Sequence, residues 1–324
     1  MATSLVELFR VLSSFQPPRR SLADAPWEEY VDWSIAQGLA PLAAYNLEFR
    51  LAGANAPEWA RDRLLSIYQG SINDTVMKLV NFKRSVDTLS GEKIVLLGGA
   101  SFVEALYPHI GFRPLLDIQL LARGRGLDAL VSCLQSADFR PQASEGGVRV
   151  LSDGRTEVRV LLELLPSRGG EEDALLERAG PMPVYGPSMF RLDLEDAILA
   201  LVLEHARAGY QVPMLSFVDL RELLSGAPSV TGPYSRAPDF ELLNARASLW
   251  RIERALFASA SIVQRLYPQI HVAAERAKPR LRAASRDLLE RVIIAPVSQL
   301  GRTRVLRGAD RLRRLLAGGG WPNR

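Results

Sequence analysis

Residues 94–123 constrain the fold more than any other part of this chain. A short strand is predicted from Lys93 to Leu97, most of it apolar; it ends at Gly98-Gly99, and a helix-forming segment follows over about 100–107. Paired glycines favour a sharp turn between a buried strand and a helix. The segment therefore predicts a strand, a glycine turn and a helix in close succession.

A second strand is predicted over 116–121, after a turn that contains Pro108 and Pro114. Side chains alternate along a strand, so Asp117 and Gln119 share one face while their apolar neighbours point into the core. Glycines let a backbone approach a phosphate, and the helix start behind them offers unpaired N–H groups to an anion. A metal-dependent phosphoryl-transfer site would carry two carboxylates on this strand, and here there are one carboxylate and one amide.

These motifs resemble the uncharacterised nucleotidyltransferase family of the DNA polymerase β-like superfamily. Four segments carry the resemblance: Leu96-Leu97-Gly98-Gly99-Ala100, Leu106-Tyr107-Pro108, Arg113-Pro114 and Asp117-Ile118-Gln119-Leu120-Leu121. It continues into the flanking segments 33–42, 203–206 and 217–224, so that it covers roughly residues 25–225. The chain departs from the family twice: the family often has Lys at the position of Gly98, and Gln119 replaces the second carboxylate of the strand.

The resemblance implies an α+β protein with a small, mixed-sheet polymerase β-like core between N- and C-terminal helical extensions. The implied reaction is Mg²⁺-dependent transfer of a nucleotidyl group from an NTP to a hydroxyl acceptor, weakened by Gln119. Gly98 and Gly99 would cradle the phosphates of the nucleotide. Arg113 would position charge there, or would instead fix its loop through a salt bridge.

A metal ion in this fold also needs an acid from a neighbouring strand. By resemblance Glu157 is that acid, with Arg159 at the family's His position, and Glu163 is its rival because it has the same strand parity. The predicted site has Asp117 and Glu157 as catalytic residues, and Asp117, Gln119 and Glu157 as ligands of Mg²⁺. The alternative is a catalytically degenerate scaffold or antitoxin-like partner that retains the fold.

Two further polar residues lie in apolar helical patterns. His205 is predicted to be a packed, hydrogen-bonded core histidine, although the family keeps a His there. Asp219 is predicted to be paired with His205 or an arginine, and its alternative role is that of a base near the acceptor hydroxyl.

Composition and periodicity divide the chain into four regions. These are an N-terminal helical region over 1–90, an α/β core over 91–190, a helical region over 191–225 and a basic C-terminal helical region over 239–324. No apolar run reaches the roughly 18 residues of a membrane span, and the first residues lack a basic start, so we expect a cytoplasmic protein.

The C-terminal region carries most of the positive charge. Residues 275–324 hold thirteen lysines or arginines against four acids, whereas the whole chain has a net charge of +4. Arginines and leucines alternate over 302–316 in the manner of an amphipathic basic helix. A solvated helix face is one interpretation, and contact with a nucleic acid or another anionic partner is the other.

Overall fold

The computed structural model describes residues 3–299, apart from 20, 52–53, 143, 145–146, 166–168 and 227–231. In these residues a mixed sheet is flanked by helices, so the chain is an α+β protein as predicted. The strands are β1 Ile94–Leu97, β2 Ile118–Leu121, β3 Arg140–Pro141, β4 Val148–Ser152, β5 Glu157–Leu161, β6 Gly180–Pro181 and β7 Met189–Arg191. Their order in the described sheet is β3-β4-β5-β2-β1-β7-β6.

Strands β1, β2 and β5 form the centre of this sheet. β1 and β2 are antiparallel, with Leu97 opposite Gln119, and β2 and β5 are parallel, with Gln119 opposite Arg159. β4 and β5 form the hairpin that the turn residues 152–155 predict. β2 begins at Ile118 rather than at the predicted residue 116, so Asp117 lies immediately before the strand.

The two faces of the sheet are buried against different helices. The helices of the first half are α1 Leu5–Leu12, α2 Trp27–Ala36, α3 Ala40–Tyr45, α4 Glu58–Val86, α5 Gly98–Ala105 and α6 Gly124–Ser136. Those of the second half are α7 Gly169–Arg178, α8 Leu194–Arg207, α9 Met214–Ser225, α10 Phe240–Trp250, α11 Glu253–Leu266, α12 His271–Ala277, α13 Ala283–Leu289 and α14 Ala295–Ser298. Ile118 and Leu120 join a core with α4 and α6, whereas Leu97 and Leu121 join the larger core that includes α8. Gln119 has the strand parity of Leu121, so it lies on the face towards α8.

The first and last described helices share that larger core. Phe9 of α1 packs against Tyr267, with ring centroids 5.2 Å apart, and Arg10 donates hydrogen bonds to the carbonyl oxygens of Leu266 and Arg265. The helical extensions therefore pack together beside the sheet. No helix in the described ranges is long and apolar enough to cross a membrane. The predicted basic helix over 302–314 lies outside the described residues.

Candidate functional site

Asp117 and Gln119 are joined by a hydrogen bond at the start of β2. Gln119 Nε2 donates to Asp117 Oδ2 over 3.2 Å, and 26% of the Asp117 side chain is exposed. Burial raises the pKa of the Asp117 carboxyl above its ordinary value, in spite of the opposing effects of Gln119, Arg159 and Arg113. The ionised carboxylate is thus left with a desolvation cost that a bound cation would offset.

Glu157 lies beside Asp117 on the neighbouring strand. It is the first residue of β5, and the parallel pairing of Ile118 with Val158 sets it level with Asp117. Arg159 lies near both acids, with its Nε 3.7 Å from Asp117 Oδ2 and its Nη1 3.2 Å from Glu157 Oε1. Glu163 is exposed and lies two residues past the opposite end of β5, so Glu157 is the acid next to Asp117.

The glycine turn adjoins this pair of acids. Helix α5 begins at Gly98 rather than at the predicted Ala100, and the φ of Gly98 is +48°, a conformation that favours glycine. A Cβ at Gly98 would lie 3.9 Å from Gln119 Oε1, and a Cβ at Gly99 would collide with the guanidinium of Arg113. The guanidinium of Arg113 can therefore lie here only because residue 99 has no side chain.

Arg113 is held by Asp219, which lies 106 residues further along the chain. Its Nε and Nη2 donate to the Asp219 carboxylate over 3.1 and 2.8 Å, and the Tyr107 hydroxyl donates to the same carboxylate over 2.6 Å. Burial acts to lower the pKa of Arg113, but the charge of Asp219 reverses this effect and raises it. The predicted structural pairing of Asp219 is confirmed, and its partner is Arg113.

His205 is the hydrogen-bonded core histidine that the sequence predicts. Its ring is fully buried, with Nε2 2.7 Å from Ser216 Oγ and Nδ1 3.4 Å from Ser259 Oγ. Burial lowers the pKa of His205 to about 3, so the ring is neutral at physiological pH.

A cavity of about 330 Å³ opens between the sheet and α8, next to Gly98 and Gln119. Its wall is mostly apolar, and its charged lining residues among those described are Glu204 and Arg207. The Glu204 side chain is solvent-exposed within the cavity, although neighbouring protein atoms remove part of the hydration of its carboxyl. This desolvation raises the pKa of Glu204 to about 7, and the neighbouring charges of Arg113, Asp117 and Asp219 modify it further.

Residues 23–268, well over half of the chain, match the model of a family described as "Uncharacterised nucleotidyltransferase". The chain belongs to this nucleotidyltransferase family. Membership supports a general role in nucleotidyl transfer. None of the proteins with curated descriptions matches the chain.

The donors at this nucleotidyltransferase's candidate site are few. Over the described ranges, no three or more His, Cys, Asp or Glu side chains are grouped so that they could hold a metal ion. Asp117, just before β2, and Glu157, at the start of the neighbouring strand β5, offer two carboxylates, and Gln119 of β2 offers an amide oxygen beside Asp117. Mg²⁺ is commonly bound through one or two carboxylates together with waters and substrate phosphates, so this donor set fits it.

Glu204 lines the cavity beside the candidate site and was not among the residues predicted from the sequence. It lies at helical spacing from Ala197, Leu201 and Ala208, all of which line the same cavity. The sequence signal that could have identified Glu204 is an acidic residue at helical spacing from apolar residues. The sequence alone did not reveal that these residues face the glycine turn across a cavity.

Proposed function

We propose that this protein transfers a nucleotidyl group from an NTP to a hydroxyl acceptor, on a polymerase β-like core built around β1, β2 and β5. The observation that carries the proposal is that Asp117 immediately precedes β2 and Glu157 begins the parallel strand β5, with Arg159 within 4 Å of both carboxylates. Gln119 connects this pair of acids to the Gly98-Gly99 turn. The family match supports the same reaction class.

Each residue has a separate part in the proposed site. The backbone at Gly98 approaches the triphosphate, because a Cβ at this position would meet only Gln119 Oε1 within 4 Å. Gly99 follows it in the first turn of α5, and there the Arg113 guanidinium fills the place of a side chain. Arg113 is a positioning residue: two of its nitrogens are bound to Asp219, and its Nη1 lies against Gly99. It thereby fixes the turn and places a positive charge behind the phosphates.

Asp117 and Glu157 would hold Mg²⁺, with the Gln119 carbonyl oxygen as a neutral third ligand. The ion would neutralise charge on the triphosphate and activate the attacking hydroxyl. The raised pKa of Asp117 favours cation binding at neutral pH over acid pH, because protonation removes the charge that attracts the ion.

Calorimetry with ATP and GTP, with and without Mg²⁺, tests this proposal. We expect NTP affinity to rise with Mg²⁺ and to fall at least about tenfold in Asp117→Ala, a loss of about 1.4 kcal/mol. Asp128→Ala, which removes an exposed aspartate of α6, is the matched control and should bind as the wild type does. NTP binding that ignores both Mg²⁺ and the loss of Asp117 would overturn the proposal.

A second candidate function is a nucleotide-binding scaffold or antitoxin-like partner without catalysis. Two observations favour it: Gln119 replaces a carboxylate, and Arg159 supplies a positive charge close to both remaining acids. Such a protein would bind NTP equally well with and without Mg²⁺ and would release no pyrophosphate. A pyrophosphate-release assay on the wild type therefore separates the two functions.

A further inference from the structure

The cavity beside the glycine turn is large enough for a small molecule. At about 330 Å³ it lies at the lower end of the range for ligand pockets, roughly 300–1,000 Å³. The sheet contributes Leu97, Gln119 and Leu161 to its wall, and α8 contributes Leu201 and Glu204. Gln119 thus borders both the cavity and Asp117, so a molecule in the cavity would lie next to the proposed nucleotide site.

Some of the polar side chains that line the cavity already form hydrogen bonds with the backbone. Arg207 Nη2 donates to the carbonyl oxygen of Leu164 over 2.7 Å, and the Tyr234 hydroxyl donates to the carbonyl oxygen of Leu192 over 3.0 Å. The Glu204 carboxylate accepts no hydrogen bond from the residues that the structure describes, and it has surface open to the cavity. A mostly apolar wall with one accepting carboxylate suits a ligand with an apolar body and a hydrogen-bond donor.

We propose that this cavity is the acceptor pocket, that it takes a small molecule with an apolar body and a hydroxyl group, and that Glu204 receives the hydroxyl proton. This inference rests on the proposed function. The hydroxyl oxygen forms a bond to the α-phosphorus of the NTP, and the bond between that phosphorus and the pyrophosphate oxygen breaks. Pyrophosphate leaves with the electron pair of the broken bond, and the proton passes to the Glu204 carboxylate.

Glu204 suits this role better than the other acids around it. Asp219 is fully buried and is bound to Arg113 and Tyr107, so it cannot reach an acceptor without breaking an ion pair. Asp117 is assigned to the metal ion. A general base is most effective when its pKa lies near the working pH, and desolvation raises the pKa of Glu204 to about 7.

The binding half of the proposal is tested with 2-phenylethanol and with ethylbenzene, which lacks the hydroxyl. By ligand-observed NMR we expect the wild type to bind the alcohol at least about tenfold more tightly, because a site that accepts a hydroxyl proton discriminates against the analogue without it. Glu204→Leu should abolish this preference. Ala200→Leu, which fills the cavity from α8, should weaken the binding of both probes. Glu177→Leu removes an exposed helical glutamate on α7 and should bind as the wild type does.

The chemical half is tested by the pH dependence of transfer to 2-phenylethanol. Transfer requires the ionised Glu204 carboxylate, so the rate should rise with pH through the range in which this carboxyl loses its proton and should level off above that range. The charged groups that face Glu204 are Arg113, Asp117 and Asp219 from other elements and Arg207 from its own helix. Glu204→Gln should remove the rise while leaving NTP binding unchanged.

The outcomes separate this inference from the proposed function. Equal binding of the two probes, or a rate at saturating Mg²⁺ and NTP that rises with pH as strongly in Glu204→Gln as in the wild type, would overturn the acceptor pocket while Mg²⁺-linked NTP binding persists. Absence of NTP binding, together with hydroxyl-selective binding that depends on Glu204, would overturn nucleotidyl transfer and leave a pocket for small alcohols.

Discussion

At the scale of single residues, the amide of Gln119 stands where a second carboxylate would complete a pair with Asp117. A unit charge about 4 Å from a divalent ion gains roughly 8 kcal/mol at an effective dielectric constant near 20, before desolvation is subtracted. An amide oxygen can ligate the ion but forfeits most of this attraction. Gln119 instead stabilises Asp117 through its hydrogen bond in the absence of metal.

We therefore expect Gln119→Asp to raise Mg²⁺ affinity or turnover at least about tenfold, which corresponds to about 1.4 kcal/mol. The measurements are Mg²⁺ titration by calorimetry and pyrophosphate release. Gln119→Asn keeps the amide at the length of aspartate, so it controls for the change in size. Circular dichroism checks that the aspartate variant is folded. If its Mg²⁺ affinity and turnover are then no higher than those of the asparagine variant, the result would favour the nucleotide-binding scaffold without catalysis.

Arg159 is the second residue whose replacement should strengthen cation binding. Its guanidinium lies within 4 Å of both Asp117 and Glu157, so it competes with a divalent ion for the same negative charge. Because 44% of the arginine side chain is exposed, water weakens this competition and the gain should be modest.

In Arg159→Met we expect Mg²⁺ to bind several-fold more tightly in a calorimetric titration. Arg155→Met removes an exposed arginine just before β5 and should leave the affinity unchanged. An unchanged or lower affinity in Arg159→Met would show that the arginine does not compete with the ion.

The sequence predicted several of these residues correctly, and the reason lies in their local patterns. Strand alternation placed Asp117 and Gln119 on one face, and apolar helical spacing identified His205 as a core residue. The sequence left open whether Arg113 binds phosphate or forms a salt bridge, because Asp219, the partner of Arg113, is 106 residues away along the chain. Glu204 was missed for the same reason, since its importance depends on which helix covers which face of the sheet.

At the scale of an element, helix α8 carries two adjacent residues whose proton affinities change in opposite directions on folding. Desolvation lowers the pKa of His205 from 6.5 to about 3 and raises that of Glu204 from 4.5 to about 7. Unfolding therefore takes up a proton at His205 between about pH 3 and 6.5, and releases one at Glu204 between about pH 4.5 and 7. Between pH 4.5 and 6.5 the two effects oppose each other.

We predict that replacing Glu204 and replacing His205 change the pH dependence of the free energy of unfolding in opposite directions. Relative to the wild type, the free energy of unfolding of His205→Gln should rise with decreasing pH, by at most about 1.4 kcal/mol per unit, because His205 no longer offsets Glu204. That of Glu204→Gln should fall relative to the wild type with decreasing pH, by less than this amount because the Glu204 carboxyl is open to water in the cavity.

Urea denaturation at several pH values between 4.5 and 6.5 measures these slopes. The double variant should have a pH dependence like that of the wild type. Parallel curves for the two single variants would contradict the opposing proton affinities.

Element boundaries were also predictable only where local chemistry sets them. The turn residues 152–155 account for the β4–β5 hairpin, and α8 begins where the Asp193 side chain accepts a hydrogen bond from the backbone N–H of Asp196. The parallel pairing of β2 with β5 was not predicted, because it depends on packing between segments that no short turn connects.

At the scale of the whole molecule, the charge is concentrated at the C-terminal end of the chain. We predict that arginines 302, 304, 307, 311, 313 and 314 bind a nucleic acid. A plot of log affinity against log salt concentration should then have a slope of magnitude about 3 or more, because each neutralised phosphate contributes roughly 0.7 to 0.9.

Fluorescence anisotropy with single-stranded RNA at several salt concentrations measures that slope. Replacing the six arginines with glutamine should flatten it, and replacing them with lysine should retain it because the charge is kept. NTP binding should be the same in all three proteins. If the wild type binds neither RNA nor DNA even at low salt, the six arginines do not bind nucleic acid, and the interpretation as a solvated helix face holds.

The docking of α1 against Leu266 and Tyr267 has a consequence for how the protein is made. Leu8, Phe9, Val11 and Leu12 are fully or nearly fully buried. Part of this surface packs against α2 and α3, and part lies against Tyr267, which is synthesised more than two hundred residues later. At about 5–20 residues per second, that interval lasts on the order of ten seconds or more. During that interval the nascent chain has α2 and α3 available to cover α1, but the side of Phe9 that faces Tyr267 stays uncovered until the end of α11 has been made.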